Sequence, residues 1–334
     1  MNRGRTSNRL DERLEELESR VLNATDTYQI RKNARFGSRQ LSLHLLAESH
    51  DFEALTLCSN GDQLENRPVK VFELTLQQFD ELKLEGTTPL SAYDAIQLGL
   101  KDKWKIIFSP GVRTVFTYNS ETRNAFFFGL SAASERARGE VFRHLAHWVS
   151  IEDGNFLVHA ASLTRGNRAV LVAGNSGAGK SSLIIQGLEH GYQFQGDNVI
   201  EIMKSGETLF HSFGVYRSLK RRLLSTLREP PHSSRSFDSA IGKDIFYVEN
   251  EKFVAGARQV VKVLYLDPET LDAQQLSSRE LFFLLGPNSI GQFPLYEGAL
   301  LSRIRDFAER VAAIRSPRMS NLQVGEMLKG SLVV

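Results

Sequence analysis

The amino-acid sequence predicts an α/β fold for the C-terminal half of the chain and an α+β domain ahead of it. In the C-terminal half, an apolar run over 169–173 is followed by a glycine-rich loop and then by a helix-like run over 182–188. Ahead of it, several short segments alternate apolar and polar residues in the manner of half-buried strands. We therefore expect three regions: a polar helical segment over 1–35, an α+β domain over 36–150 and an α/β domain over 151–334.

The glycine-rich loop fits the phosphate-binding pattern G-x-x-x-x-G-K-[ST] between a strand and a helix. Its glycines let successive backbone N–H groups point at phosphate oxygens, and the helix N-terminus adds partial positive charge there. Lys180 would reach the β- and γ-phosphates, and the Ser181 hydroxyl would ligate Mg²⁺. The loop therefore predicts a nucleoside triphosphate site made by Gly174, Asn175, Ser176, Gly177, Ala178, Gly179, Lys180, Ser181 and Ser182.

Composition excludes several other classes of protein. The 334 residues are 41% hydrophobic and 24% charged, and the formal net charge of +2 gives no electrostatic basis for binding nucleic acid or a membrane surface. The single cysteine, Cys58, excludes an intrachain disulfide and a cysteine metal cluster. The charged segment over 1–20 lacks the apolar core of a secretory signal, and no apolar run reaches the roughly 18 residues that span a bilayer. We therefore expect a cytoplasmic protein.

The N-terminal segment contains one amphipathic helix. Its apolar stripe has spacings of four, three and four residues and consists of Leu10, Leu14, Leu17 and Val21. The simpler interpretation is a helix that packs on its own domain. The alternative is a contact between two copies of the chain, which would make a homo-oligomer.

The middle region shows strand patterns and then a helix. The strand patterns lie at 41–45, 69–74, 104–108, 112–118 and 124–128, and the helix pattern at 134–149. No chemical motif stands out here, so we interpret its aromatic residues as core.

The C-terminal region continues with strand patterns at 156–163, 199–202 and 260–266 and helix patterns near 278–285 and 298–314. Gly191 fits the position just after a helix end. Residues 193–198 are interpreted as a connection into the next strand. The polar run over 229–236 is typical of a mobile loop or lid.

The segment over 158–202 resembles the catalytic core of HPr kinase/phosphorylase and the wider group of HPr-kinase-like kinases. That family has a His on the strand before the loop strand, the pattern G-x-S-G-x-G-K-[ST], a short helix that ends in Gly, and an Asp-Asp pair that opens a strand. This chain has His159, the loop, Gly191 and Asp197-Asn198 in that order. The resemblance implies an α/β P-loop nucleotide-binding kinase domain of HPr-kinase-like type, with an N-terminal α+β domain.

The resemblance also implies roles for individual residues. Asp197 would serve the metal together with Ser181 and act as the general base toward a hydroxyl, with Lys180 and His159 as the further catalytic residues. A carboxylate beside a hydroxyl nucleophile can accept its proton. Two alternatives stay open: Asp197 is a turn residue between Gly196 and Asn198, or His159 is a core histidine on an apolar strand.

The sequence departs from the family at the acidic pair. Asn198 stands at the second position, where it can ligate a metal through its carbonyl oxygen but cannot act as a base. Glu189 and Glu201 are nearby in sequence as other sources of a second carboxylate. The longer glycine-containing segment of true HPr kinases has no match here, so we expect neither HPr as the substrate nor reverse phosphorylase activity.

Two further features bear on the chemistry. Asp267 follows an apolar strand pattern, as the Mg²⁺ partner does in motor-type ATPases, although Asp-Pro is also ordinary turn chemistry. The dense basic stretch over 211–222 contains Arg217 and Lys220, which would stabilise charge on a transferring phosphate. The alternative for these two is a solvated helix face.

The sequence therefore predicts an ATP-dependent kinase. It would use ATP and Mg²⁺ and transfer the γ-phosphate to a hydroxyl of a small metabolite or of a serine in a peptide or protein. The alternatives are a regulatory nucleotide-binding switch that transfers no phosphate and a nucleoside triphosphate hydrolase that uses Asp267.

Overall fold

The structure is a computed structural model, and it shows a mixed α/β protein with several sheets. It describes residues 3–28, 30–46, 56–57, 68–84, 96–99, 103–109, 114–128, 135–215, 218–221, 233–238, 243–290, 297–317 and 321–332. The chain divides into two compact units, the first made of Met1–Arg35, Arg39–Phe52 and Leu57–Leu145 and the second of Phe36–Ser38, Glu53–Thr56 and Ala146–Val334. Within the described ranges, no helix has both the length and the apolar character needed to cross a membrane.

The first unit is built around an eight-stranded sheet. Its elements are α1 (Arg3–Asn23), β1 (Ile30–Phe36), β2 (Arg39–Leu45), β3 (Thr56–Leu57), β4 (Val69–Glu73), α2 (Leu76–Glu81), β5 (Ile96–Gly99), β6 (Trp104–Ser109), β7 (Thr114–Asn119) and β8 (Asn124–Phe128). The strand order is β3-β1-β2-β4-β8-β7-β6-β5. Strand β4 is parallel to both β2 and β8, whereas β5 to β8 form an antiparallel meander. The strand patterns predicted over 41–128 are thus strands of one sheet.

The apolar stripe of α1 packs inside this unit. Its four residues are buried in one hydrophobic cluster with residues of the sheet that include Phe72, Trp104 and Phe126. The interpretation as a helix that packs on its own domain is confirmed, because the stripe is buried against the sheet of the same unit.

A buried carboxylate ties α1 to the hairpin between β7 and β8. The Glu18 side chain accepts hydrogen bonds at Oε2 from Asn119 Nδ2 (2.8 Å) and at Oε1 from Asn124 Nδ2 (2.7 Å) and Thr122 Oγ1 (2.5 Å). Glu18 is 8% exposed, so these donors take the place of the water that the charge has left.

We expect Glu18→Gln to lower the free energy of unfolding by about 1–3 kcal/mol, because an amide turns one of the two acceptor oxygens into a donor that faces another donor. Urea unfolding would measure the change. Glu12→Gln is the matched control, since Glu12 is exposed on the same helix. Equal stability of the two variants would contradict the assigned role of Glu18.

The second unit contains the glycine-rich loop. Its elements are α3 (Glu135–Glu152), which begins in the first unit, β9 (Phe156–Val158), β10 (Ala161–Arg165), β11 (Arg168–Gly174), α4 (Lys180–Glu189), β12 (Gln193–Gly196), β13 (Ile200–Ser205), β14 (Leu209–Gly214), β15 (Ser218–Arg221), β16 (Ser233–Asp238), β17 (Lys243–Val248), β18 (Arg258–Leu266), β19 (Gln274–Gln275), α5 (Ser278–Ile290), α6 (Glu297–Arg310), β20 (Ala312–Ser316) and α7 (Asn321–Leu332). The main sheet runs in the order β12-β10-β11-β18-β14-β13-β9, with β20 beside β18. A small sheet has the order β15-β17-β16.

The strand before the loop is buried on both faces. Leu171 and Ala173 belong to a core cluster with residues of α5 and α6, whereas Val170 and Val172 belong to a cluster with residues of α4 and α7. Helices therefore cover both faces of β11, and this explains why it is apolar without alternation. Because β11, β18 and β20 are parallel, their carboxyl ends meet at one edge of the sheet.

Two predictions for residues 229–316 of this unit are wrong. The helix predicted over 298–314 ends at Arg310, and Ala312–Ser316 forms a strand parallel to β18, because pairing with a distant strand outweighs the local helical periodicity. The loop predicted over 229–236 is strand β16 from Ser233 onward, paired with β17 and joined to it by an ion pair between Arg235 and Asp244. Residues 229–232 lie outside the described ranges.

Candidate functional site

The main sheet brings the candidate residues to one edge. The parallel pairing of β11 and β18 sets Gly174 opposite Leu266. Strand β10 is antiparallel to β11, with Ala161 opposite Val172, so the chain just before β10 lies at the same end as the loop. Strand β12 pairs with β10 through Gly196 and also points its carboxyl end there. His159, the glycine-rich loop, Asp197 and Asp267 therefore share this edge.

The loop passes directly into α4. The N-cap residue is Gly179, whose φ of 108° is left-handed and which has no side chain to cap the first turn. An N-terminus without a side-chain cap presents backbone N–H groups and partial positive charge, the arrangement that binds phosphate. The far end of α4 closes as predicted at Gly191, with φ 81°, where the N–H of Tyr192 donates to the carbonyl of Gly187.

Gly174 lets β11 approach β18 closely where the loop begins. Its φ is 142°, and a Cβ atom placed there would lie 2.5 Å from the carbonyl oxygen of Leu266 and 3.2 Å from Cβ of Ala178. Both the backbone conformation and the space therefore require glycine at this position.

We expect Gly174→Ala to lower the free energy of unfolding by at least about 1–3 kcal/mol, the cost of a strained backbone, with the backbone clash added. Chemical denaturation would measure the loss. Gly166→Ala is the control, because Gly166 also has positive φ, at 58°, but a Cβ atom there meets nothing within 4 Å. If Gly174→Ala and Gly166→Ala lower the free energy of unfolding equally, the clash with the Leu266 carbonyl oxygen does not contribute to stability.

Lys180 is folded back over the loop. Its side chain is buried, and Nζ donates to the carbonyl oxygens of Gly174 at 2.7 Å and Asn175 at 3.1 Å. These bonds hold the ammonium group over the loop, where it meets the position that a phosphate on the helix N-terminus would take.

Ser181 and Asp197 lie next to each other. The Ser181 hydroxyl donates to Oδ2 of Asp197 at 3.4 Å, and the N–H of Asn198 donates to Oδ1 of Asp197 at 2.9 Å. Asp197 is 5% exposed. A hydroxyl and a carboxylate are hard oxygen ligands of the kind that Mg²⁺ prefers, so this pair fits a magnesium ion.

In the part of the chain that the structure describes, no group of three or more His, Cys, Asp or Glu residues could hold a metal ion. The Ser181–Asp197 pair differs from such a cage. At phosphoryl-transfer sites Mg²⁺ is usually bound by one or two carboxylates together with the phosphates of the substrate. The pair is therefore compatible with a metal that arrives with a nucleotide.

Glu201 and Glu189, the other candidates for a second carboxylate, do not lie beside Ser181 and Asp197. Glu201 is buried and accepts hydrogen bonds from Ser150 Oγ at 2.9 Å and Asn155 Nδ2 at 2.8 Å. Glu189 is exposed at the last position of α4, about 13 Å along the helix axis from Lys180. Asn198 itself has φ of 75°, a left-handed conformation that Asn tolerates better than most residues.

Asp267 lies at the same edge, just past β18. Its N–H donates to the carbonyl of Ser316 at 2.9 Å, and its Oδ1 accepts the N–H of Glu269 at 3.1 Å. One carboxylate oxygen thus caps a turn, as the Asp-Pro sequence indicates. Asp267 remains the alternative metal partner.

His159 lies at a bend and not inside a strand. The single strand predicted over 156–163 is two strands, β9 and β10, because β9 pairs with β13 whereas β10 pairs with β11 and β12. The chain changes partners at His159, whose side chain is half-buried. This position, on the side of the loop, suits contact with a ligand better than the interior of an apolar strand would.

The described residues do not place the two basic candidates, Arg217 and Lys220, at this edge of the sheet. Arg217 lies outside the described residues. Lys220 is on β15, opposite Ile245 in the small sheet, and its side chain is not among those described. The alternative that placed this stretch on a helix is wrong for Ser218–Arg221, which is a strand.

The sequence reasoning missed Tyr265. Its hydroxyl donates to Oδ1 of Asn175, the first residue after β11, at 3.4 Å. Tyr265 stands opposite Ala173 in the pairing of β11 and β18, so only knowledge of that register could have found the contact.

No family model matches the sequence, and no curated protein matches it either. Among solved structures, the chain is similar to one described as the Hpr(Ser) kinase/phosphatase from Coxiella burnetii. The two are 15% identical, the match covers 52% of this chain and 94% of that chain, and the TM-score is 0.30. Similarity at this level establishes neither a shared fold nor a shared activity, so the case for a function rests on the loop and its neighbours.

Proposed function

We propose that residues 151–334 form a P-loop kinase domain of HPr-kinase-like type, which transfers the γ-phosphate of ATP to a hydroxyl group in the cytoplasm. The observation that carries this proposal is the position of Asp197, beside the Ser181 hydroxyl at 3.4 Å and next to the loop that Lys180 covers. A loop suited to phosphate, with a hydroxyl and a carboxylate beside it that suit a metal and a proton transfer, supplies the parts that phosphoryl transfer requires.

The residues divide the work between binding and proton transfer. Backbone N–H groups of the loop and the ammonium of Lys180 bind the β- and γ-phosphates and neutralise their charge. Ser181 and Asp197 would hold Mg²⁺, which would supply further positive charge at the phosphates. Asp197 also accepts the proton of the attacking hydroxyl, and His159 contacts the phosphate or the acceptor.

The acceptor is a small metabolite or a serine in a peptide or protein. A phosphate site of this type specifies the donor and not the acceptor. The second candidate function is a regulatory switch that binds the nucleotide without transfer. Asn198 in place of an acid favours it, although the left-handed backbone at Asn198 gives that residue a structural reason as well.

Incubation of the purified protein with γ-labelled ATP and Mg²⁺, with fractionated lysate as the source of acceptor, tests the proposal. We expect label in a discrete small molecule or polypeptide with the wild type and none when EDTA replaces Mg²⁺. Bound ATP that keeps its label would favour the switch, and label released as inorganic phosphate would favour the hydrolase. A protein that binds no nucleotide would overturn all three functions.

A further inference from the structure

Gln195 forms a buried hydrogen-bonded junction two residues before Asp197. Its side chain has no exposed surface. Oε1 accepts hydrogen bonds from Ser162 Oγ at 2.9 Å and Ser212 Oγ at 2.7 Å, and Nε2 donates to the carbonyls of Ser212 and Gly256, both at 2.8 Å. Both ends of the amide are therefore satisfied by three separate parts of the chain.

The backbone of Gln195 is a β-bulge. Ser162 of β10 pairs with Gly196, and the next residue, Leu163, pairs with Phe194, so Gln195 is an extra residue on β12. A bulge bends its strand and changes the direction of the residues that follow, and bulges are enriched next to active sites. The residues that follow here are Gly196 and Asp197.

The junction also reaches β14, the strand that pairs with the next strand in the chain, β13. Strand β14 is not a neighbour of β12 in the order of the sheet, yet Gln195 Nε2 bonds to Ser212 of β14. Gly214 of β14 lies so close that a Cβ atom there would be 1.6 Å from the Gln195 carbonyl oxygen. Gly214 in turn pairs with Ile200, the first residue of β13.

The turn that carries Asp197 is thus held at both ends. It starts at the bulge of Gln195 and ends at Ile200. The side-chain amide of Gln195 bonds to β14, and β14 also pairs with Ile200, so one strand fixes both ends of the turn. We propose that Gln195 is a positioning residue, which acts through its bulge and its amide to place the Asp197 carboxylate against Ser181 for metal binding. This inference rests on the proposed function, because it assigns Asp197 to the metal of a bound nucleotide.

The test is the affinity for ADP, measured by calorimetry with Mg²⁺ and with EDTA. We expect Mg²⁺ to tighten ADP binding by the wild type, and Gln195→Met to reduce this Mg²⁺ effect by roughly tenfold, the usual consequence of losing a residue that orients a metal ligand. The affinity in EDTA should not change, because the loop stays intact. The same substitution at Gln193, which is half-buried on the same strand, is the matched control and should change neither value.

A second background separates positioning from general damage to the fold. In an Asp197→Asn protein, Gln195→Met should cause no further loss of the Mg²⁺ effect, since the ligand that it positions has gone. Should Gln195→Met fail to fold, Ser162→Ala replaces it, because it removes a single donor to Oε1 and should cause a smaller loss in the same direction.

Three outcomes would overturn the inference. One is a folded Gln195→Met protein in which Mg²⁺ tightens ADP binding as much as it does in the wild type. Where Ser162→Ala is used instead, the corresponding outcome is a Ser162→Ala protein with the same Mg²⁺ effect as the wild type. Another is an equal further loss in the Asp197→Asn background. The third is a wild type that binds ADP without any effect of Mg²⁺, whereas a wild type that binds no ADP at all would overturn the proposed function and this inference with it.

Discussion

Lys180→Ala should lower the rate of phosphate transfer by about a hundredfold to a thousandfold, the cost of removing one preorganised group that stabilises transition-state charge. The proposed function gives Lys180 this role, and the carbonyls of Gly174 and Asn175 hold its ammonium over the loop. ADP affinity should fall as well, by about tenfold or more, since a hydrogen bond to a charged group contributes about 1.5–3 kcal/mol. Transfer of label from γ-labelled ATP and calorimetry with ADP measure the two effects.

Two further variants sharpen this result. Lys204→Ala removes the same charge from an exposed ion pair with Asp306 and should leave transfer unchanged. Lys180→Arg keeps the charge but replaces a compact ammonium by a planar guanidinium, which does not reproduce the same contacts, so we expect it to be impaired too. Transfer at the wild-type rate by Lys180→Ala would contradict both the assignment of the loop and the proposed kinase activity.

The segment from β11 to Gly191 could be predicted because its signals are local. The apolar run, the glycines of the loop, the helix and its terminal glycine are contiguous, and each is determined by backbone conformation or burial within a few residues. The left-handed φ at Gly179 and at Gly191 shows why glycine stands at each position. The prediction and the structure agree where the residues that determine a conformation are close to it in the sequence.

The rest of the edge depends on pairing between distant residues. The sequence predicts a connection over residues 193–198, yet Gln193–Gly196 is a strand whose partner, β10, lies some thirty positions earlier in the sequence. The bulge at Gln195 and its bonds to Ser162 and Gly256 leave no periodic trace that a window of sequence could detect. The same reason applies to β20, where parallel pairing with β18 ended a helix pattern.

The departure at Asn198 has a structural consequence that the sequence alone did not show. With Asn at this position and with Glu201 bonded to Ser150 and Asn155, Asp197 is the carboxylate that lies beside Ser181. Asp267 is at the same edge, but one of its oxygens caps the turn at Glu269. In the proposed kinase, metal binding and proton transfer would therefore both fall on Asp197, and this makes its substitution the most informative one in the chain.

Asp197→Asn should lower phosphate transfer by at least about a hundredfold, the lower end of the effect of a general base, while ADP affinity in EDTA stays at the wild-type value. The substitution keeps the shape of the side chain and an oxygen that can accept the N–H of Asn198, but it removes the charge and the ability to accept a proton. Transfer assays and calorimetry on the same preparation would separate the two effects.

Asp267→Asn is the matched comparison, because it makes the same change at the other carboxylate of this edge. An amide oxygen can still accept the N–H of Glu269, so we expect the turn to persist and transfer to change little. The reverse result, with turnover retained in Asp197→Asn and lost in Asp267→Asn, would refute the role of Asp197. It would move the metal to the end of β18, beside Gly174 in the register of the parallel strands, and would favour a hydrolase over a kinase.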